Sequence, residues 1–397
     1  MKRLISAALA ILVLSACSHS GKISQDQADE MISSPLKDEI IRKAEADLNA
    51  APVTITAFPA EESQGGLHDF FSEADYSWPD PANPDGPYKG RDGYTNPDNF
   101  NEHRFALNRM SMIVANLASA WILTGERKYA DAILPHLYAW FINEDTRMEP
   151  HMKYAQAVHG KFAGRCYGII DTIHLIEVVQ SMIRLEQAGL MPEDLLEGTK
   201  SWFYRFVDWM FDDPQGIMEM RTGNNHGVCW ILQVGTFAKY AGWTEMYLFA
   251  KNRFKYKYLP EMASDGSFPM ELERTKSYGY SLFNLDAMVG VCQTLSTPDD
   301  DLWTFVAENG NVIRMALDFM FPYIQDKGRW PKEPDVMYWD EWPVAQPSLI
   351  FAWNRFRNDP TFDAQAYYDT WLKLDHFPEN TEVIRNLPLR NPVLWLL

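Results

Sequence analysis

Residues 228–240 read Val-Cys-Trp-Ile-Leu-Gln-Val-Gly-Thr-Phe-Ala-Lys-Tyr. A helix drawn through them is apolar on nearly every side, so it must be covered on nearly every side by other elements. Outward from this stretch, apolar residues recur at helical spacing over Leu107 to Leu123, Tyr129 to Phe141, Tyr167 to Leu185 and Trp202 to Phe211. The same spacing continues over Trp243 to Tyr258, Leu282 to Leu295, Leu302 to Tyr323 and Ser348 to Phe356. Strand alternation is scarce. Breakers at Thr124-Gly125, Gly189, Asp213-Pro214, Gly242, Asp265-Gly266 and Pro298 cut the helices at intervals suited to antiparallel hairpins. The pattern predicts an all-α chain, an incomplete α/α toroid of about six to seven helical hairpins, with an inner ring covered by an outer one. No exact internal repeat is visible, which disfavours solenoids.

The two halves of the 397 residues share the same abundance of Trp, Tyr, Phe and Met, and no Gly/Ser/Pro-rich linker divides them after Asn101. One large domain over residues 35–397 follows. Within it, Asp69 to Phe100 is irregular and dense in Pro, Gly, Asp, Tyr and Trp. So long a connection in a compact domain is functional or disordered, and its aromatic content favours function. At the N-terminus, Lys2 and Arg3 precede an apolar run from Leu4 to Leu14, followed by Leu14-Ser15-Ala16-Cys17. That run is too short to span a membrane. Small residues before a Cys at this place have the form of a bacterial lipobox. Residues 1–16 are expected to be a lipoprotein signal peptide, Cys17 the lipidated first mature residue, and 17–34 a polar tether. The protein would then be an exported bacterial lipoprotein, periplasmic or outer-membrane associated, touching the membrane only through its anchor. The other cysteines, Cys166, Cys229 and Cys292, are odd in number and have apolar or small neighbours, so buried thiols are expected rather than disulfides.

A net charge of −18 argues against nucleic-acid and anionic-membrane partners, both of which need a basic footprint. An acidic substrate would require arginines and lysines to converge locally in a cleft. Two clusters could supply such a cleft. Arg221-Thr222-Gly223-Asn224-Asn225-His226-Gly227 opens the apolar helix, and Glu271 to Tyr280, Glu-Leu-Glu-Arg-Thr-Lys-Ser-Tyr-Gly-Tyr, precedes the next long one. Each has a plain structural reading as well: an N-cap pair for the first, a solvated loop with Arg274 in an ion pair for the second. Together they hold an inventory suited to one reaction class. Eliminating across a 4-linked uronate requires removal of the C5 proton, which is weakly acidic until the neighbouring carboxylate is neutralised. Amide, imidazole and guanidinium groups can neutralise it, and a Tyr flanked by cations can serve as base or acid. Asn225, His226, Arg274 and Tyr280 are the candidates. No His-Glu-x-x-His, Cys-x-x-Cys or Gly-rich phosphate loop is present, so no cofactor or metal is implied.

Asn224-Asn225-His226, Arg274-Thr275 with Tyr280-Ser281, and the earlier Thr146-Arg147-Met148-Glu149-Pro150, Tyr154-Ala155-Gln156 and Gly164-Arg165 resemble the alginate lyase family of toroid polysaccharide lyases. Asp69 to Gly93 is similar to that family's N-terminal pattern, and the likeness covers residues from about 69 to about 350. The resemblance implies that Asn225, His226 and Arg274 neutralise the substrate carboxylate and that Tyr280 transfers the proton. Some relatives carry Tyr-His one residue later, whereas here Tyr280-Ser281 stands six positions beyond Arg274. The match is therefore closer to polysaccharide lyase family thirty-eight than to family five, and Tyr278 becomes a second candidate for the phenol. Substrate-binding residues are expected at Arg147, Tyr154, Gln156 and Arg165, at Trp78, Tyr88 and Arg91 in the irregular segment, and at Tyr278, since aromatics stack on sugars and Arg forks bind carboxylates. Rim packing and surface ion pairs are their plain alternative. Trp330, Tyr338, Trp339 and Trp342 read as a packed aromatic knot, and His136 and His174 as satisfied core histidines. The rival functions are a glycoside hydrolase acting on unsaturated or acidic oligosaccharides, which needs two carboxylates from Asp213, Asp265, Glu271, Glu273 and Asp286, and a non-catalytic glycan-binding lipoprotein.

Overall fold

The protein is described from a computed structural model over residues 22–84 and 86–397. The expected signal peptide and Cys17 lie outside the described residues. Helices α1 (Gln25–Ser33) and α2 (Lys37–Asp47) come first, followed by α3 (Glu102–Thr124), α4 (Arg127–Leu137), α5 (Leu175–Gln187), α6 (Glu193–Asp212), α7 (Pro214–Arg221) and α8 (Asn225–Ala241). The chain continues through α9 (Thr244–Arg253), α10 (Pro269–Leu272), α11 (Ser277–Leu295), α12 (Ile313–Gln325), α13 (Pro347–Phe356), α14 (Ala364–Lys373), α15 (Thr381–Arg385) and α16 (Pro392–Leu396). Short strands β1 (Phe71–Glu73), β2 (Ser77–Trp78), β3 (Lys89–Gly90) and β4 (Tyr154–Ala157) are the only regular strands among the described residues.

The apolar stretch is α8, with every residue from Gly227 to Ala238 buried and Gly242 ending it in the left-handed conformation at φ 77°. Successive inner helices α3, α5, α8, α11 and α13 pack side by side, which explains why α8 and α11 have no polar face. Outer helices cover them: α2 and α4 lie on α3, α6 and α9 on α8, α12 on α11, and α14 on α13. The position between α13 and α3 is filled by α16, with α1 behind it. The α/α toroid therefore has five inner helices in chain order and a sixth position built from the two ends of the described chain.

Several boundaries differ from expectation. The tether assigned to 17–34 gives way at Ser24, whose side chain forms a capping box with Gln27, and Ala28 and Ile32 of α1 are fully buried. The helix expected from Leu302 starts only at Ile313, because Asn309-Gly310-Asn311 forms a turn whose Asn311 amide donates to Leu259 and Met262 carbonyls at 3.2 and 2.8 Å. The Tyr167 helix begins as a 3-10 segment, Cys166–Thr172. The thiols of Cys166, Cys229 and Cys292 are free and buried.

The irregular segment is an ordered strap. β1 pairs in parallel with β4, Phe71 against Tyr154, and β2 and β3 form a hairpin. Asn96 and Asn99 amides tie the strap to its own carbonyls at Ser77 and Ala74. At the other end, wholly buried Glu177 of α5 accepts from the backbone amides of Arg390 and Asn391 at 2.7 and 2.9 Å, from the Asn391 side chain at 3.0 Å and from the Trp395 indole at 3.2 Å. These bonds pin the C-terminal segment to the inner ring.

Candidate active site

Two inner-ring entrances and the strap meet at one cleft of about 640 Å³. At the first entrance Asn224 caps α8, its Oδ1 accepting from the His226 amide at 3.3 Å. The capping role is real, and it belongs to Asn224. Asn225 instead binds a carboxylate, its backbone N–H and Nδ2 donating to the two oxygens of Glu271 on α10 at 2.7 and 2.8 Å. Its Oδ1 is buried without a partner. His226 donates from Nδ1 to Glu219 Oε1 at 2.6 Å, since a carboxylate can only accept, and this fixes the tautomer and leaves Nε2 free. Tyr167 stands edge-on to the imidazole at 5.0 Å. Glu219 and Glu271 are each 1 % exposed. Burial pushes the Glu271 carboxyl above its ordinary range against the Asn225 bonds that lower it. Burial, then the nearby Glu219, pushes the Cys166 thiol up to about 12.

At the second entrance Arg274 donates from Nε and Nη2 to Asp92 of the strap, at 3.1 and 2.6 Å, and Asp92 also accepts from the Thr275 amide and hydroxyl at 3.1 and 2.9 Å. The guanidinium lies over the Tyr280 ring, 4.3 Å from its centroid. Tyr280 Oη and Tyr76 Oη share a short hydrogen bond. Burial raises the Tyr280 phenol above its usual value, while Arg274 and the Tyr76 hydrogen bond pull it down.

Gln156, Arg165, Asp171, His174 and Arg385 complete the lining. Gln156 adopts φ 49°, and its side chain donates to Asp171 at 3.2 Å while its carbonyl accepts from Arg165 Nε at 3.0 Å. Asp75 binds Arg104 at 2.6 Å and Arg385 at 2.9 Å, and these two cations hold its carboxyl below the usual range although burial opposes them. Arg165 forms no ion pair among the described residues and stacks on Tyr167 at 5.2 Å.

Of the expected site residues, Asn225, His226, Arg274, Tyr280, Gln156 and Arg165 line this cleft. Tyr278 does not. It is fully buried against Trp330 and Trp339 at 5.2 and 5.4 Å, and its hydroxyl donates to the Tyr323 carbonyl at 3.0 Å. A helix turns about 100° per residue, so two positions apart on α11 face nearly opposite ways. Tyr278 therefore belongs to the aromatic knot, where Trp330 and Trp342 are also buried. Arg147 pairs with Glu149 at 3.7 Å, Tyr154 lies on the β1–β4 pair, and Tyr88 packs on His159 at 5.0 Å. Trp78 donates to the Tyr94 carbonyl at 2.8 Å under Arg91, whose guanidinium is 5.0 Å from its ring. These five lie outside the cleft lining. His174 is not a satisfied core histidine: it lines the cleft, 1 % exposed, and neither ring nitrogen has a hydrogen-bond partner. Burial, then Arg390, pushes its pKa well down. Tyr76, Asp75, Asp171 and Arg385 also line the cleft, beyond the residues expected from the sequence. Tyr76 lay within the aromatic run of the irregular segment, whereas nothing local marks Arg385.

Of the five carboxylates considered for a hydrolase, Glu273 is exposed and outside the cleft lining, and the other four are engaged elsewhere. Asp213 caps α7, Asp265 caps a turn at Ser267, Asp286 is buried against Ser348, and Glu271 holds Asn225. The two acids that do line the cleft, Asp75 and Asp171, are bonded to Arg104 and Arg385 and to Ser72 and Gln156. A helical toroid whose cleft offers amide, imidazole, guanidinium and phenol, with its acids already engaged, defines a polysaccharide lyase.

The chain belongs to the alginate lyase family, whose sequence model matches residues 54–330. An alginate lyase from Bacteroides ovatus is 30 % identical in crystal structure, with 94 % of this chain and 96 % of that one covered and a TM-score of 0.78. Alginate lyase A1-III from Sphingomonas species A1 is 14 % identical over 87 % of this chain and 90 % of its own, with a TM-score of 0.51. A tyrosine-to-phenylalanine variant of A1-III complexed with a tetrasaccharide is 16 % identical, covering 88 % and 90 % with a TM-score of 0.55. No curated protein matches the chain.

Proposed function

We propose that the enzyme cleaves a 4-linked polyuronate of the alginate or glucuronan type by β-elimination. Asn225, His226 and Arg274 neutralise the uronate carboxylate, and Tyr280 moves the proton. The observation that carries this reading is convergence: residues from α8, from the loop before α11 and from α11 itself reach one cleft. The alginate lyases similar in structure support alginate as the first substrate to test. Where the C5 hydrogen and C4 oxygen share a face, as in mannuronate and glucuronate, Tyr280 serves as base and then acid. Guluronate would need His226 Nε2 as base. Gln156 and Arg165 bind neighbouring sugar units, Arg165 through an unpaired guanidinium.

The test is an absorbance assay for the unsaturated product over polymannuronate, polyguluronate, glucuronan and glycosaminoglycans. Tyr280→Phe is expected to lose about 10²–10⁴ in turnover while still binding polymer. Near wild-type turnover in that variant would reject the mechanism. The spacing of Arg274 and Tyr280-Ser281 supports placement with family thirty-eight. We also propose lipid attachment at Cys17 and export to the periplasm or outer membrane. Fatty-acid labelling that survives Cys17→Ser would overturn it.

A further inference from the structure

Lys276, at the start of α11, is 6 % exposed, and among the described residues its ammonium makes neither an ion pair nor a hydrogen bond. Its side chain lines a small pocket together with Asp335, Tyr338 and Glu382. Its surroundings are three phenol rings, those of Tyr76, Tyr338 and Tyr280, with centroids 5.0, 5.2 and 5.5 Å from Nζ. Two of these rings, Tyr76 and Tyr280, are joined through their hydroxyls. The ammonium therefore faces the joined phenols directly, where its charge acts on both.

The other charges facing the phenol pair are already balanced. Arg274 is held by Asp92, Arg385 by Asp75 and Glu382, and His226 across the cleft by Glu219. Asp335, the acid beside Lys276, accepts from the backbone amides of Tyr278 and Gly279 at 2.9 and 2.8 Å and makes no ion pair with the ammonium. Lys276 is the cation next to the pair that has no salt-bridge partner among the described residues.

We propose that Lys276 is a positioning residue for the elimination, the counter-ion of the Tyr76–Tyr280 pair while that pair is one proton short. The inference rests on Tyr280 being the phenol that takes the C5 proton. In the reactive form of the site the pair holds one proton and one negative charge, and Lys276 matches that charge. The C5–H bond breaks as the phenolate takes the proton, and the C5–H electrons become the C4–C5 double bond. The C4–O bond leaves with its electrons, and its oxygen takes the proton back from the phenol. The pair returns to its starting charge, and no outside reactant is consumed.

The experiment compares wild type, Lys276→Met, Lys276→Arg and Tyr280→Phe on alginate across a pH series. Lys276→Met is expected to lower kcat about tenfold or more at neutral pH with KM little changed. Its deficit should shrink at pH values where the wild-type rate has levelled off, because each added pH unit there restores about tenfold of the missing phenolate in the variant alone, and Lys276→Arg should recover most of the rate. A deficit of the same size at every pH would make Lys276 a packing residue and overturn the proposal, as would Lys276→Met at full activity. Lys276→Gln, which keeps a polar end, gives the same reading should the methionine variant fail to fold. Failure of the underlying mechanism shows separately, as a Tyr280→Phe variant that still turns over.

Discussion

Asn225, His226 and Arg274 share one device: each donates to its own carboxylate, Glu271, Glu219 and Asp92. A partner on one side of a group proposed to neutralise the substrate fixes its direction before the substrate arrives, so that less ordering remains for the reaction to complete. The two buried partners fail differently when changed. Glu271 accepts through both oxygens, and Glu271→Gln would set an amide N–H against an Asn225 donor. That variant is expected to lose about 1–3 kcal/mol of stability, read by denaturant unfolding, and to lose turnover with it. Glu219→Gln can keep an acceptor on the His226 Nδ1–H, so it should stay folded and lose kcat by about tenfold or more. A rate equal to wild type would show that the charge on Glu219 plays no part. At this scale the polar entrances were legible, because amides, an imidazole and a guanidinium interrupt otherwise apolar helix starts. Their carboxylate partners were not, since Glu219 and Glu271 look like ordinary acidic residues until the fold brings them up against Asn225 and His226.

The elements differ in how far pattern alone could place them. Inner helices α8 and α11 are found by their lack of a polar face, and outer helices by their stripe. The failure at Leu302 has a physical cause: an apolar run reads alike whether it coils or packs as turns under a neighbouring helix, and the Asn309-Gly310-Asn311 turn decided it. The strap is fixed by non-local contacts. Gly93 at φ 79° lies against Thr275, where any Cβ would collide with the Thr275 hydroxyl. Gly93→Ala should therefore lift Asp92 away from Arg274 and reduce kcat/KM on alginate, with thermal stability much less affected. At the other end, Glu177→Ala would leave Arg390 buried without its partner and four donors without their acceptor. A loss of about 3–5 kcal/mol is expected, seen as a lowered unfolding midpoint.

The whole molecule places its acidity unevenly. A chain of net charge −18 gathers Arg104, Arg165, Arg274, Lys276 and Arg385 at or beside one cleft, as an anionic polymer requires. One buried acid away from the lining makes global stability depend on pH. Asp286 accepts from the Ser348 amide at 3.1 Å, and burial pushes its carboxyl up to about 7. The folded form keeps this proton where the unfolded chain has lost it. The group's contribution to stability therefore falls as the pH climbs from about 4, the unfolded value, to about 7, and is constant above. Asp286→Asn removes that term, so its melting temperature should decline less than that of wild type between about pH 5 and about pH 8. An unchanged decline would place the dependence on other groups.

The sequence by itself determined the helical toroid and the four groups proposed for the chemistry. Apolar periodicity is a local property, and polar residues at the mouths of apolar helices stand out against it. The tertiary structure alone decided that Tyr280 and not Tyr278 faces the cleft, because two steps along a helix reverse direction. It also decided that Tyr76, Asp92, Lys276 and Arg385 gather around that phenol from positions as much as 309 residues apart. Closure of the ring and the laying of the strap bring them together, and electrostatic partnerships over such separations leave no periodic mark in the chain.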